Sequence, residues 1–286
     1  MAERARVEPL LPLLYEPLVR RALEEDLGVA GDLTADALEL GDLRASALLV
    51  ARDGGRVAGL AAGLTAFRLL DPGAHAEVHH PDGDDVAAGA PLATVTGAAR
   101  ALLSGERTAC NLVGLVSGCA TATRDLVATV ADLPTRVVPT RKTLPGLRAL
   151  QRYAVRVGGG HDHRFGLDDA VLLKDNHLLL AGGLSTAVAR VRRHLGHLVK
   201  VEVEVDTLDQ LEEALGLGVD AALLDNMDTD QLRRGVALVD GRLVTEASGG
   251  VRPATAPAIA ATGVDLVSVG WLTHSAPALD VALDLC

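Results

Sequence analysis

Residues 199–225 read VKVEVEVDTLDQLEEALGLGVDAALLD: an alternating apolar run, a helix-like stretch, and a second short apolar run that stops at an aspartate. A period of two marks a strand, and two strands joined through a helical crossover run parallel. The same unit recurs on both sides. TRVVP (135–139), DAVLLK (169–174), RLVTEA (242–247) and DLVSVG (265–270) are each short Val/Leu runs followed by a helix-like segment. Six such strands predict an α/β architecture with a parallel sheet. A closed barrel of this kind needs eight units in roughly 250 residues, so the expected form is an incomplete, open β/α barrel.

The first hundred residues have another rhythm. ASALLVARDGGRVAGLAAGL (45–64) predicts a hairpin, two strands about an Asp-Gly-Gly turn, and EVHHPDGDDVAAGAPLATVTG (77–97) predicts further short strands between Gly, Asp and Pro turns. ERTACNLVGLVSGCATATRDLVATVA (106–131) reads as one long amphipathic helix. The expected organisation is a smaller N-terminal α+β sandwich domain over 1–106 and an open-barrel catalytic domain over 107–286, with a C-terminal helix packing back on the N-terminal domain.

With 38 acidic and 27 basic residues the net charge is −11, which argues against nucleic acid as a partner. Aromatics make up 2% of the chain, so its core must be built from Leu, Val and Ala at high packing density. Cys110 and Cys119 fall nine residues apart on one helix, roughly 13 Å along its axis and too far to bridge. No secretory leader is evident and the apolar run LLPLL (10–14) is short and broken by Pro12, so the expectation is a cytoplasmic protein with no membrane segment.

Active sites on parallel β/α folds lie at the carboxyl ends of the strands. Those ends carry Thr140-Arg141-Lys142, Lys174, Glu204, Asp225-Asn226, Ser248-Gly249-Gly250 and Gly270. Only three of the 27 basic residues are lysines, and Lys142 and Lys174 both sit at strand ends, where a compact point charge differs in use from a planar guanidinium. Glu202 and Glu204 share one side of their strand with Lys200. Glu204 and Asp225 are expected as lateral neighbours, about one strand spacing apart, an arrangement suited to Mg2+ that also takes phosphate oxygens. Salt bridges to the nearby lysines are the alternative use of these carboxylates. Glycine turns after the last two strands, with Pro253 in the first turn of the next helix, suit a phosphate cradle. His161 and His163 could be a metal pair, but the other strand ends lack histidines, and Arg141, His163, Arg164 and Lys174 fit anionic carboxylates better.

These residues lie in motifs that closely resemble the quinolinate phosphoribosyltransferase family (nicotinate-nucleotide pyrophosphorylase, carboxylating). The matching runs are EEDLGVAGDLT (24–34), GERTACN (105–111), RKTLPGLRALQRYAVRVGGGHDHRFGLDDAVLLKDNH (141–177), EVEVDTL (202–208), LLDNM (223–227), EASGGV (246–251) and SVGWLTHSAPALD (268–280). The resemblance implies a pentosyltransferase that joins quinolinate to phosphoribosyl pyrophosphate, giving nicotinate mononucleotide, pyrophosphate and carbon dioxide in NAD biosynthesis. It implies that Arg141, His163, Arg164 and Lys174 hold the quinolinate carboxylates and that Arg107 reaches the pocket from the second subunit of a homodimer. It further implies that Lys142 contacts ligand charge, that Glu204 and Asp225 hold Mg2+, that Thr140 contributes to substrate binding, and that Ser248, Gly249, Gly250 and Gly270 bind phosphate. Lys142, Lys174, Glu204 and Asp225 would carry the catalysis. A related enzyme acting on another pyridine or pyrimidine carboxylate is the alternative. One departure is Pro139, where the family usually has Asp before Thr-Arg-Lys-Thr.

Overall fold

The computed structural model describes residues 7–286. The chain forms two compact units, and neither is contiguous in sequence: one holds 7–124, 143–159 and 272–286, the other 125–142 and 160–271. The expected boundary at 106/107 falls inside a single helix, Ala99–Thr129, which begins seven residues before the stretch 106–131 that reads as helical.

In chain order the strands are β1 (Arg44–Ala51), β2 (Gly55–Arg56), β3 (His75–Val78), β4 (Asp85–Val86), β5 (Pro91–Ala98), β6 (Arg136–Pro139), β7 (Val171–Leu173), β8 (Val201–Val205), β9 (Ala221–Asp225), β10 (Val244–Ser248), β11 (Leu266–Val269) and β12 (Val281–Leu285). The first unit holds an antiparallel sheet ordered β12-β1-β5-β3 and a two-stranded pair β2-β4. The expected hairpin does not form. β1 pairs with β5 and β12, β2 is two residues long, and GLAAGL leads into the helix Leu60–Leu70. An Ala/Leu run carries no strand alternation, and the Asp82 carboxylate accepts from the Gly59 and Leu60 amides at 2.9 and 3.1 Å, satisfying donors at the start of that helix.

The expected C-terminal helix is also corrected: residues 281–285 are β12, antiparallel to β1. Two glycines of the long helix explain how the chain arrives there. A Cβ at Gly114 would meet the Leu279 carbonyl oxygen at 2.5 Å, and one at Gly118 the Pro277 oxygen at 2.0 Å. The 277–279 segment therefore lies directly on the helix backbone, and the Leu279 amide donates to the Gly114 carbonyl at 2.9 Å. This unit's core gathers Val19, Leu64, Phe67, Leu102, Val116 and Tyr153, all buried. Cys110 and Cys119 are free and buried, and burial pushes their thiols up to about 11 and about 12, which leaves them protonated and inert.

The second unit contains all six strands read from the sequence, in the order β6-β11-β10-β9-β8-β7, and every pairing is parallel. β6 and β7 are its edges and no ladder joins them among the described residues, so the barrel stays open. Val203, Val205, Ala222, Leu224 and Val267 are fully buried, each larger aliphatic contributing about 1.5–3 kcal/mol by leaving water. Helices Leu208–Gly216 and Thr229–Val239 each open with a reciprocal capping box, Thr207 with Gln210 and Asp228 with Gln231, so local sequence stops and restarts the chain after each strand. Pro139 ends an edge strand, a position that tolerates a residue without a backbone donor. No helix among the described residues is long and apolar enough to cross a membrane.

Candidate active site

The parallel ladder brings the carboxyl ends of β6 to β11 to one face of the second unit. After β6, the Thr140 hydroxyl accepts from the Lys142 amide at 3.0 Å, bending the chain so that Arg141 and Lys142 follow directly on the strand. The Nε of Arg141 is buried with no hydrogen-bond partner in the protein. Arg164 donates to the Ala170 carbonyl at 3.3 Å. Burial, and then the adjacent Arg141 charge, press Arg164 below its ordinary value. Two guanidinium groups this close repel one another, and a bound anion relieves both the repulsion and the orphaned donor.

Lys174, just past β7, forms an ion pair with Glu204 of β8. This is the salt bridge that the sequence left open as an alternative, and it leaves Lys174 45% exposed while Glu204 is only 11% exposed. Lys200 does not share that interior side: it is exposed and binds Asp220 at 2.7 Å. The lateral placement of Glu204 and Asp225 is also corrected. Glu204 pairs with Leu223 in the β8–β9 ladder, so Asp225 stands two residues nearer the mouth, and the two carboxylates are diagonal neighbours.

Asp225 accepts from the Asn226 side-chain amide at 2.7 Å, and Asn226 itself sits in the left-handed region at φ 53°. The Asn226 amide continues the ladder by donating to the Ser248 carbonyl at 2.9 Å. A Cβ on Gly249, whose φ is 99°, would lie 2.2 Å from the Asn226 side-chain oxygen Oδ1, so the glycine loop is seated directly against this asparagine. Pro253 lies in a turn rather than in a helix; the following helix is Ala256–Ala260, and Pro257 fills its first turn. The indole of Trp271, next to Gly270, donates to the Val251 carbonyl at 2.9 Å and ties the two glycine turns together.

His163 lies deeper. Its Nε2 is 3.0 Å from Glu246 Oε2 and 3.4 Å from Glu202 Oε2. Burial opposes a charge on this ring, but the two carboxylates outweigh it and raise His163 to about 9. Nδ1 is 2.8 Å from the Arg164 amide, a contact that suits the neutral ring instead. A unit charge pair near 4 Å is worth on the order of 4 kcal/mol at an effective dielectric of 20, against about 1 kcal/mol for one neutral hydrogen bond, so the two carboxylates favour the charged ring while the Arg164 amide stays seated against Nδ1. The three side chains have ligand atoms within 4.8 Å of one another, yet the imidazolium itself is the cation the carboxylates need. His161 is exposed, and its backbone amide donates to the Val137 carbonyl.

Arg107 belongs to the first unit, on the exposed side of the long helix, 3.4 Å from Glu106. Cavities do not by themselves mark the strand ends. One of 570 Å3 lies in the first unit beside Tyr15, Arg68, Asp82 and Tyr153; one of 550 Å3 in the second touches Glu204, but most of its lining comes from the helices that follow. Glu246 is a residue the sequence reading missed. The signal was present, because a carboxylate inside the apolar run RLVTEA breaks the strand's pattern as Glu202 does in VEVEV.

Guanidinium, ammonium and carboxylate groups at the ends of an open parallel barrel, with two glycine turns beside them, define an α/β-barrel enzyme that binds anionic, phosphorylated substrates. Residues 32–117 match the family model for the quinolinate phosphoribosyl transferase N-terminal domain, and residues 119–284 match that for its C-terminal domain. The probable nicotinate-nucleotide pyrophosphorylase [carboxylating] of Bacillus subtilis is 41% identical over 273 residues, covering 96% of this chain and 94% of its own. The Mycobacterium leprae nicotinate-nucleotide pyrophosphorylase [carboxylating] is 43% identical, covering 93% and 95%. The solved structure of the Francisella tularensis nicotinate-nucleotide pyrophosphorylase superimposes with a TM-score of 0.92 at 34% identity, over 99% of this chain and 100% of that one. The chain belongs to the quinolinate phosphoribosyltransferase family.

Proposed function

We propose that the protein transfers the phosphoribosyl group of phosphoribosyl pyrophosphate to the ring nitrogen of quinolinate, forming nicotinate mononucleotide, pyrophosphate and carbon dioxide. The observation that carries this reading is Arg164, on the loop before β7, held beside Arg141, which follows β6, in an acidic protein, with an orphaned arginine donor that a substrate carboxylate would satisfy. Lys174 follows β7 on the same face of the sheet. Family membership narrows the anion to quinolinate.

In this reading Arg141, Arg164 and Lys174 hold the two ring carboxylates, with His163, whose ring nitrogens are engaged by Glu202, Glu246 and the Arg164 amide, supporting them from behind, and Thr140 and Lys142 flank them. The backbone amides of Ser248, Gly249, Gly250 and Gly270 take phosphate oxygens. Glu204 and Asp225 offer hard carboxylate oxygens on neighbouring strands and, with Lys174 and Asn226 each occupying one side, keep further oxygens for Mg2+, which supplies charge neutralisation for the leaving pyrophosphate. The protein's part is positioning and electrostatics: its cations stabilise departing negative charge while the pyridine nitrogen bonds to the anomeric carbon. The alkylated ring, now cationic, accepts the electron pair left when the adjacent carboxylate departs as carbon dioxide, and that carbon then takes a proton.

Arg107, exposed on the long helix, is assigned to the pocket of a second subunit, which makes the working form a homodimer. Free, buried thiols suit a cytoplasmic setting. Incubation with quinolinate, the phosphoribosyl donor and Mg2+ tests the reading by product mass: nicotinate mononucleotide is expected, and its loss on chelation supports the metal. Product from nicotinate but none from quinolinate would move the assignment to another acceptor.

A further inference from the structure

The roles above leave Glu202 and Glu246 without a task. They stand on β8 and β10, their side chains are 12% and 1% exposed, and both approach the same nitrogen of His163, itself 13% exposed. Buried carboxylates are retained only where a cation or hydrogen bonds compensate them, and a well-packed aliphatic pair would serve a merely structural sheet as well. Glu246 keeps one buried oxygen with no hydrogen-bond partner, which makes its retention harder to explain by packing.

His163 lies on a loop pinned at both ends. The His161 amide binds the Val137 carbonyl, the Phe165 and Gly166 amides both bind the Asp169 carboxylate, and the Arg164 side chain binds the Ala170 carbonyl. Between these ties the His163 side chain meets Glu202 of β8 and Glu246 of β10, and Arg164, the residue after it, feels the same two carboxylates. We infer that Glu202 and Glu246 are positioning residues: they form an anionic seat for His163 and, through it, fix Arg164 where it grips the substrate carboxylate. This rests on the reading of Arg164 as a carboxylate grip. The groups facing the imidazole are Glu202 from β8, Glu246 from β10 and Arg164 from its own loop, and Arg164 is in turn repelled by Arg141 and attracted by Asp169 and by the same two glutamates.

The test is Glu246→Gln, which keeps size and removes charge. Calorimetry near neutral pH is expected to show quinolinate binding weakened about tenfold or more, with binding of Mg2+-pyrophosphate changed less than about twofold. His163→Gln is expected to reproduce the loss, and the double variant to be no weaker than either single one, because both cut the same link. NMR of the His163 ring provides a readout independent of any ligand: it is expected to titrate near 9 in the unaltered protein and clearly lower in Glu246→Gln. Unchanged quinolinate affinity, equal weakening of both ligands, or a His163 titration that does not move between the two proteins would overturn the inference. If the unaltered protein bound no quinolinate, the functional reading would fail, and the seat would still stand or fall on the ring titration.

Discussion

Gly249→Ala is the substitution whose cost is easiest to work out. The residue sits at φ 99°, and an added Cβ would lie 2.2 Å from the Asn226 side-chain oxygen and 3.1 Å from the Asn226 Cα. A non-glycine residue held in that region costs about 1–3 kcal/mol. The asparagine must also move, and its hydrogen bond to the Asp225 carboxylate, 2.7 Å long, contributes about 1.5–3 kcal/mol as a bond to a charged group. Together these come to about 2.5–6 kcal/mol, or roughly seventyfold to more than ten-thousandfold if expressed wholly as lost donor binding. Gly250 is the control: its φ is 63° but nothing lies within 4 Å of an added Cβ, so Gly250→Ala pays the conformational cost alone. Initial rates with each substrate varied in turn should show KM for the phosphoribosyl donor rising far more in Gly249→Ala than in Gly250→Ala, with KM for quinolinate little changed. Donor KM values within about threefold of the unaltered protein in both variants would refute the reasoning.

Other outcomes are equally specific. Lys174→Ala removes the cation from Glu204, which is largely buried, and is expected to lower kcat/KM for quinolinate by about a hundredfold or more while circular dichroism stays native; retained activity would remove Lys174 from the site. Arg56→Ala removes a guanidinium 2% exposed that binds Asp85 at 3.0 and 2.5 Å. Asp85 is half exposed and keeps Arg124, so the loss is that of the charged hydrogen bonds and packing, about 1.5–3 kcal/mol in urea unfolding, without touching the strand-end residues; an unchanged midpoint would contradict the pairing. Because His163 is raised above its unfolded value of 6.5, its stabilising contribution is complete below about 6.5 and is lost as pH rises through about 9. Thermal melts across that window should fall, and fall less in Glu246→Gln. Mixing Arg107→Ala with Lys174→Ala protein should restore activity if Arg107 serves a second subunit's pocket, and inactive mixtures would argue against a shared site.

All six parallel strands were legible because each is a short Val/Leu run bounded by Gly, Asp or Pro, and the strand-end residues followed from them. Register was not. Glu204 and Asp225 look like lateral partners when strands are aligned by their last residue, but the ladder sets Glu204 opposite Leu223. The hairpin at 45–64 was misread because GLAAGL has neither strand alternation nor a helical stripe, and its fate depends on Asp82, a residue distant in sequence. The C-terminal strand depends on two glycines in the long helix that let residues 277–279 approach, a tertiary contact with no local signature. Glu246 could have been found, since a charge within an apolar strand calls for a partner, though the partner's identity required the fold.

The central claim is that the strand-end cations hold a pyridine dicarboxylate through phosphoribosyl transfer and loss of one carboxyl group. Quinolinate labelled at the 2-carboxylate tests it most directly, with carbon dioxide and pyrophosphate counted together in the presence of Mg2+. One carbon dioxide per pyrophosphate is expected, with both dependent on the donor; pyrophosphate release without labelled carbon dioxide would contradict the account.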